Sequence, residues 1–281
     1  MSEHRIIPKN DYSDLYYYIG NNEIQNRKVL IDLRADEGIS AIQVINLAMF
    51  CANYSAKNHS TFFLFPSDPF YKTYFRDTGL FNISHPEHEF SKDYKYDKSW
   101  NIMPIRLINE NTIKKYIKVL CEGLKGILPD VKPASIEFIV MQLLENIQQH
   151  SLTKINAYIF FQYHRQTDSL VFCIADLGIG ITSSLKNILY LNENSSMESD
   201  ESNQSSIYGE PDDTLTVTAN SLYVIKEYAK RVNGKLSIAA DDLNYVYESG
   251  LEKIITYEKF RTQGTRIIFV VNPDNLDQQL N

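Results

Sequence analysis

The sequence predicts an α/β protein in two units: a small α/β layer first, then a larger α/β sandwich, a mixed sheet with helices on one face. Three observations lead there. Between residues 27 and 79, apolar runs of strand length alternate with helical stretches in the order strand, helix, strand, helix, which builds an α/β layer. Ile136, Ile139, Val140, Leu143, Leu144 and Ile147 recur at helical spacing, so one long helix has a buried face. After that helix come short apolar runs separated by turn residues, the pattern of strands in one sheet. The expected division is a first domain over 1–90, a linker over 91–102, a second domain over 103–275 and a tail over 276–281.

In the first unit, Arg27 to Leu33 reads as a central strand and Ile39 to Tyr54 as a helix. Ser40-Ala-Ile-Gln43 matches a capping box at its start. Thr61 to Phe65 is a second strand, stopped by Pro66. Asp68 to Asp77 is a helix with Gly79 just past its end, where a left-handed residue is favoured. The polar, charged stretch that follows reads as the linker, and its His85 and His88 read as solvated loop residues.

In the second unit, Asn109 or Asn111 caps a helix running to about Leu128, and Pro129 and Pro133 bracket the turn into the long helix. Ile155 to Tyr163 and Leu170 to Ile174 form a hairpin with its turn at Arg165 to Asp168. Ile181 to Leu191 reads as a short helix. Asn192 to Asp213, rich in Ser, Asn, Glu and Asp, has too little apolar surface to fold by itself. A helix ending near Val232, with Gly234 as its C-cap, precedes strands at Lys235 to Ala239, Leu251 to Tyr257 and Arg266 to Val271.

Composition narrows the function classes. Hydrophobic residues make up 43%, enough for a well-formed core. The net charge of −7, with no basic block, argues against a nucleic-acid surface. Cys51, Cys121 and Cys173 lie in apolar contexts without metal-ligand spacing and read as buried free thiols. No stretch has the form of a signal peptide or a membrane span, so a cytoplasmic protein with no membrane partner is expected.

The chemistry concentrates in two segments. In Gln142-Leu-Leu-Glu-Asn146-Ile-Gln-Gln-His150, the residues Gln142, Asn146, Gln149 and His150 sit three or four apart, and they are expected to project together as an uncharged polar row. An amide in such a row can hold a metal's water shell or the phosphates around it. In Asp176-Leu-Gly178-Ile-Gly180, a carboxylate at a strand end precedes two glycines, which lets the backbone turn sharply and lie close against a flat ligand. Gly264-Thr265 then opens the last apolar strand.

These motifs, in this order, resemble the GHKL ATPase superfamily, which includes gyrase, Hsp90, histidine kinases and MutL. The resemblance covers about residues 105 to 273 and implies a Bergerat-type fold binding ATP and Mg²⁺. Asn146 would then hold Mg²⁺. Asp176 would accept the adenine amino group, with Gly178 and Gly180 lying close to the nucleotide. Thr265 would lie near Asp176 and the adenine. His150 would contact phosphate, or else close its helix near the C-terminus. Ser221 would stand at the lid's end, and residues 192–220 would be the ATP lid. Two departures are visible. Gln142 stands where hydrolysing members carry a general-base Glu, which argues against fast hydrolysis, and Glu145 is expected to point too far round the helix to replace it. Thr218-Ala-Asn-Ser221-Leu222 lacks the usual glycines of the lid's end.

The first unit resembles a STAS domain, whose members carry a phosphorylatable Ser at the start of the first helix. Ser40 is the nearest candidate, although its place as a plain N-cap is the better reading and needs no other explanation. The resemblances imply a regulatory protein whose nucleotide state, ATP or ADP, controls a protein partner or a Ser/Thr phosphorylation of the anti-sigma-factor kind. Two alternatives stay open: a catalytically degenerate interaction module, and an ATP-gated clamp that forms a homodimer.

Overall fold

Ser40 and Gln43 form the capping box that starts the first helix. The Gln43 amide N–H donates to Ser40 Oγ at 3.4 Å, and the Ser40 N–H donates to Gln43 Oε1 at 2.6 Å. They belong to a computed structural model that describes residues 4–8, 12, 15, 28–35, 39–56, 60–80, 101–109, 111–151, 157–178, 213–256 and 262–276. Helix α1 (Ala41–Ala56) connects strand β2 (Lys28–Asp32) to β3 (Ser60–Leu64). With β1 (His4–Ile6) they form a parallel three-stranded sheet in the order β1-β2-β3. A parallel pair needs such a crossover, and α1 supplies it. Strand β1 was not legible in the sequence, because three residues carry too little pattern.

Helix α2 (Pro69–Asp77) ends as expected at Gly79, which has φ +77°. A Cβ there would lie 2.9 Å from Pro104 Cβ, so the turn also needs glycine for space. Just before it, the Thr78 carbonyl accepts the Ile105 N–H at 2.9 Å. This ties the end of α2 to β4 (Ile102–Ile108), a strand absent from the sequence reading. Its Pro104 conceals it. The proline is accommodated because β4 is an edge strand whose register shifts between Met103 and Arg106.

Helix α3 (Ile113–Lys125) starts four residues after Asn109, whose side-chain Oδ1 accepts the N–H groups of Asn111 and Thr112. Then come α4 (Pro133–Ser151), the expected hairpin of β5 (Ala157–His164) and β6 (Ser169–Ala175), and α5 (Asp213–Arg231). Strands β7 (Lys235–Asp241), β8 (Leu243–Glu248), β9 (Leu251–Thr256) and β10 (Thr262–Val271) precede the short α6 (Pro273–Leu276). Strand β8 also escaped the sequence reading. Asp241 and Asp242 signal a turn, yet Leu243, Tyr245 and Tyr247 alternate inward with period two. At the end of α5 the cap differs from expectation. Asn233, with φ +47°, takes the left-handed position, and the Gly234 N–H closes the helix on the Ala229 carbonyl at 2.8 Å. Gly234 is needed for another reason: a Cβ there would meet the Val270 carbonyl oxygen at 2.9 Å.

The larger sheet has seven strands in the order β4-β5-β6-β10-β7-β8-β9. Every pair is antiparallel, which corrects the expected mixed sheet. Phe161, Phe172 and Phe269 lie side by side on one face and pack into the core with α3, α4 and α5. Phe160, Cys173 and Ile268 lie side by side on the other face. They share a second core with Val44, Leu47 and Cys51 of α1. Helices therefore do not cover one face only: α1 of the N-terminal unit lies on the back of β5 and β6. Strands buried on both sides lose their polar alternation, which is why these runs read as uniformly apolar. Cys51 and Cys173 are buried free thiols, pushed up to about 12 by burial; Cys121 is only half-buried.

Candidate functional site

Asp176 follows the last residue of β6 and continues the side-chain parity of Phe172 and Ile174, toward the face that α4 covers. Its N–H donates to the Thr265 carbonyl at 2.9 Å, which locks the strand end to β10. The carboxylate Oδ1 accepts the Gly178 N–H at 2.5 Å, so the first glycine of the motif closes a tight turn on the side chain. Asp176 is 3% exposed. Burial pushes its carboxyl up to about 6, although the Gly178 and Thr265 N–H groups and the Thr265 hydroxyl pull the other way.

Gly264 makes the approach of β10 possible. Its φ is +78°, and a Cβ on it would sit 2.0 Å from the Asp176 carbonyl oxygen and 2.9 Å from Leu177 Cα. The β10–β7 register shifts between Thr262 and Thr265, so the turn into the strand is a bulge. Thr265 emerges from it 1% exposed, in register with the core residue Ala240. Two segments far apart in sequence thus meet at one place. Among the described residues, neither Asp176 Oδ2 nor Thr265 Oγ1 has a hydrogen-bond partner, although both atoms are buried. Burying such groups without partners costs on the order of 1–3 kcal/mol each, and the Thr265 hydroxyl favours the ionised Asp176 carboxylate from close by.

Asn146 lies on α4, which packs on β6, β10 and α5. It is fully buried, and its Nδ2 donates to the Gln142 carbonyl at 2.6 Å. This revises the picture of one projecting polar row. On the helical wheel Asn146 borders the apolar arc of Ile139 and Leu143 and is buried with it, while Gln142 is half-buried. Gln142 Nε2 donates to Glu145 Oε2 at 3.0 Å. Glu145 is therefore in side-chain contact with Gln142, since residues three apart on a helix are neighbours.

The other expected site residues fall differently. His150 is in the last turn of α4 and Ser221 is within α5, and the side chains of both lie outside the described residues. So do Gly180, the segment 181–191, residues 192–212 of the expected lid, and His85 and His88. Residues 213–220, expected at the lid's end, are the first turns of α5. Ser40 is exposed at the start of α1 and is occupied as a cap.

Among the described residues, no group of three His, Cys, Asp or Glu side chains could hold a metal ion, and no helix is long and apolar enough to cross a membrane. Two open cavities among the described residues lie elsewhere. One of about 600 Å³ sits at the opposite end of β6, beside Ser169, Gly234 and Asn272. Another of about 480 Å³ lies between α2 and the end of β5, beside Tyr74 and His164. Neither contains a pair of buried, partnerless atoms from the sequence motifs. The chain matches no protein-family model, no curated protein and no solved structure.

Proposed function

We propose that this chain is a regulatory protein that binds ATP and Mg²⁺ in the manner of the GHKL ATPases, with a Bergerat-type domain preceded by a STAS-like one. The observation that supports the reading is a carboxylate and a hydroxyl, Asp176 and Thr265, buried together at the junction of two motifs, with Oδ2 and Oγ1 lacking a partner among the described residues. The edge of adenine offers an amino donor at N6 beside an acceptor at N1. An ionised Asp176 accepts from N6, and the Thr265 hydroxyl donates to N1, so both unmet atoms are satisfied at once. Guanine presents an acceptor at O6 and a donor at N1, the reverse pattern.

The donor set suits Mg²⁺ of a particular kind. A carboxamide oxygen is a hard ligand, and Mg²⁺ is commonly held by few protein groups plus substrate phosphates and water. Asn146 would supply its side-chain oxygen, the hard atom of the carboxamide. The metal would screen phosphate charge at the helix. Nucleotide state would then control a protein partner or a Ser/Thr phosphorylation.

Gln142 favours a second reading, a catalytically degenerate interaction module. A carboxamide orients water but cannot take its proton. Equilibrium binding with matched nucleotides separates the two. ATP binding with at least about tenfold preference over GTP supports the proposal, a discrimination well within what mismatched buried polar groups provide. Absence of binding for both, with the protein folded, supports the module.

A further inference from the structure

Thr265 and Arg266 are consecutive residues of β10 and so point to opposite faces of the sheet. Thr265 faces the candidate site. Arg266, in register with Ala175, faces the second core, where it is 6% exposed. There its Nη1 donates to Asn46 Oδ1 at 2.5 Å, and Asn46, fully buried, belongs to α1 of the N-terminal unit. The strand is irregular just where this happens, because its register against β7 shifts between Thr262 and Thr265. A bulge has fewer ladder bonds to fix it, so side-chain anchors matter more there. Gly264, inside the bulge, lies in backbone contact with Asp176 and leaves no room for displacement.

We propose that the Asn46–Arg266 contact is a positioning contact for the site: α1 holds Gly264 and Thr265 against Asp176 from the far side of the sheet, and thereby sets nucleotide affinity. For its ligand this inference rests on the nucleotide reading above. The physical argument is local. A long guanidinium pinned to a helix fixes the backbone from which it springs, and the next residue toward the site inherits that placement. Since coupling free energies are reciprocal, anything that moves α1 changes nucleotide affinity, and nucleotide stabilises the α1 contact in return. The N-terminal unit is in this way part of the site without contacting the ligand.

Two variants of the full chain test it. Asn46→Leu removes the acceptor at similar size, and Asn46→Asp keeps one. The first readout needs no nucleotide: hydrogen exchange of the Asp176 amide, which donates to the Thr265 carbonyl. In Asn46→Leu this amide is expected to exchange about tenfold faster relative to Phe172, and ATP affinity to fall by about tenfold, with both restored in Asn46→Asp. Should the leucine variant fail to fold, Asn46→Ser shortens the reach of the acceptor and is expected to move both readouts in the same direction. Unchanged Asp176 exchange in the leucine or serine variant, or equal damage in Asn46→Asp, overturns the proposal. Faster exchange in Asn46→Leu, with no nucleotide bound even by the wild type, would retain the positioning role and discard the nucleotide reading.

Discussion

Gly264 and Asp176 touch backbone to backbone: the position a Cβ would take on Gly264 is 2.0 Å from the Asp176 carbonyl oxygen. No L-residue fits there without moving one strand end, and φ +78° adds strain for any side chain. Gly264→Ala is therefore expected to cost about 2–4 kcal/mol, the sum of a backbone penalty and a forced displacement. Urea unfolding checks it. A loss below about 0.5 kcal/mol would mean that the contact relaxes freely.

Asp176 should trade stability for binding. Its carboxyl is raised from 3.8 to about 6, so between those pH values the folded chain binds more protons than the unfolded one. Stability then falls as pH rises through that window, and at pH 7 the buried carboxylate is a net cost. Asp176→Asn is expected to stabilise the nucleotide-free protein at pH 7 by about 1–3 kcal/mol, and to have little effect at pH 4. Thermal melts at the two pH values decide. On the proposed reading the same titration acts on binding with the opposite sense, because the ionised form is the stronger acceptor for N6. ATP affinity is expected to weaken as pH falls below about 6.

On the proposed reading Gln142→Glu introduces a carboxylate where a base would act, but Glu145 Oε2 already lies 3.0 Å from the Gln142 amide nitrogen. Two carboxylates brought that close repel each other, which spoils the placement of the new one. The single variant should gain little turnover near neutral pH. Gln142→Glu combined with Glu145→Gln should gain more, by about a hundredfold if base catalysis is all that is missing. Phosphate release compared across the three proteins tests this ordering.

Ser40 is spent on its helix. The capping box satisfies orphan N–H groups at the start of α1, so Ser40→Ala is expected to cost about 1 kcal/mol in denaturant unfolding. No measurable loss would remove the capping account and strengthen the alternative of Ser40 as a phosphorylated residue.

Lys226 supplies a check on the core. It is 2% exposed and pairs with Glu252 at 2.9 Å. Glu252→Gln leaves a buried ammonium with a neutral neighbour, and about 3 kcal/mol of stability should be lost.

Much of this architecture was legible in the chain because local rules were obeyed. The capping box of α1, the glycine after α2, the β5–β6 hairpin and the periodicity of α4 all depend on neighbours in sequence. The omissions have the opposite character. Strand β4 contains a proline that only an edge position tolerates, and β8 follows two aspartates that look like a turn. That the sheet has a second buried face depends on α1 arriving from another unit. One signal for it was present: Arg266 is a lone charge in an otherwise apolar strand, and its partner Asn46 is a polar residue inside the apolar helix α1. At the site, Asp176 and Thr265 could be paired only through a family resemblance, whereas Gly264 shows physically why they meet. Asn146 was placed in a projecting polar row because its spacing from Gln142 and His150 is helical, yet it is fully buried.

The central claim is that Asp176 and Thr265 receive an adenine. Titration calorimetry of the intact chain with a non-hydrolysable ATP analogue and Mg²⁺, beside Asp176→Asn, tests it most directly. The account predicts saturable binding in the wild type and a loss of at least about a hundredfold in the variant, the scale of one unmet buried hydrogen bond to a charged group. Binding of equal strength in both proteins, or in neither while both are folded, would contradict it.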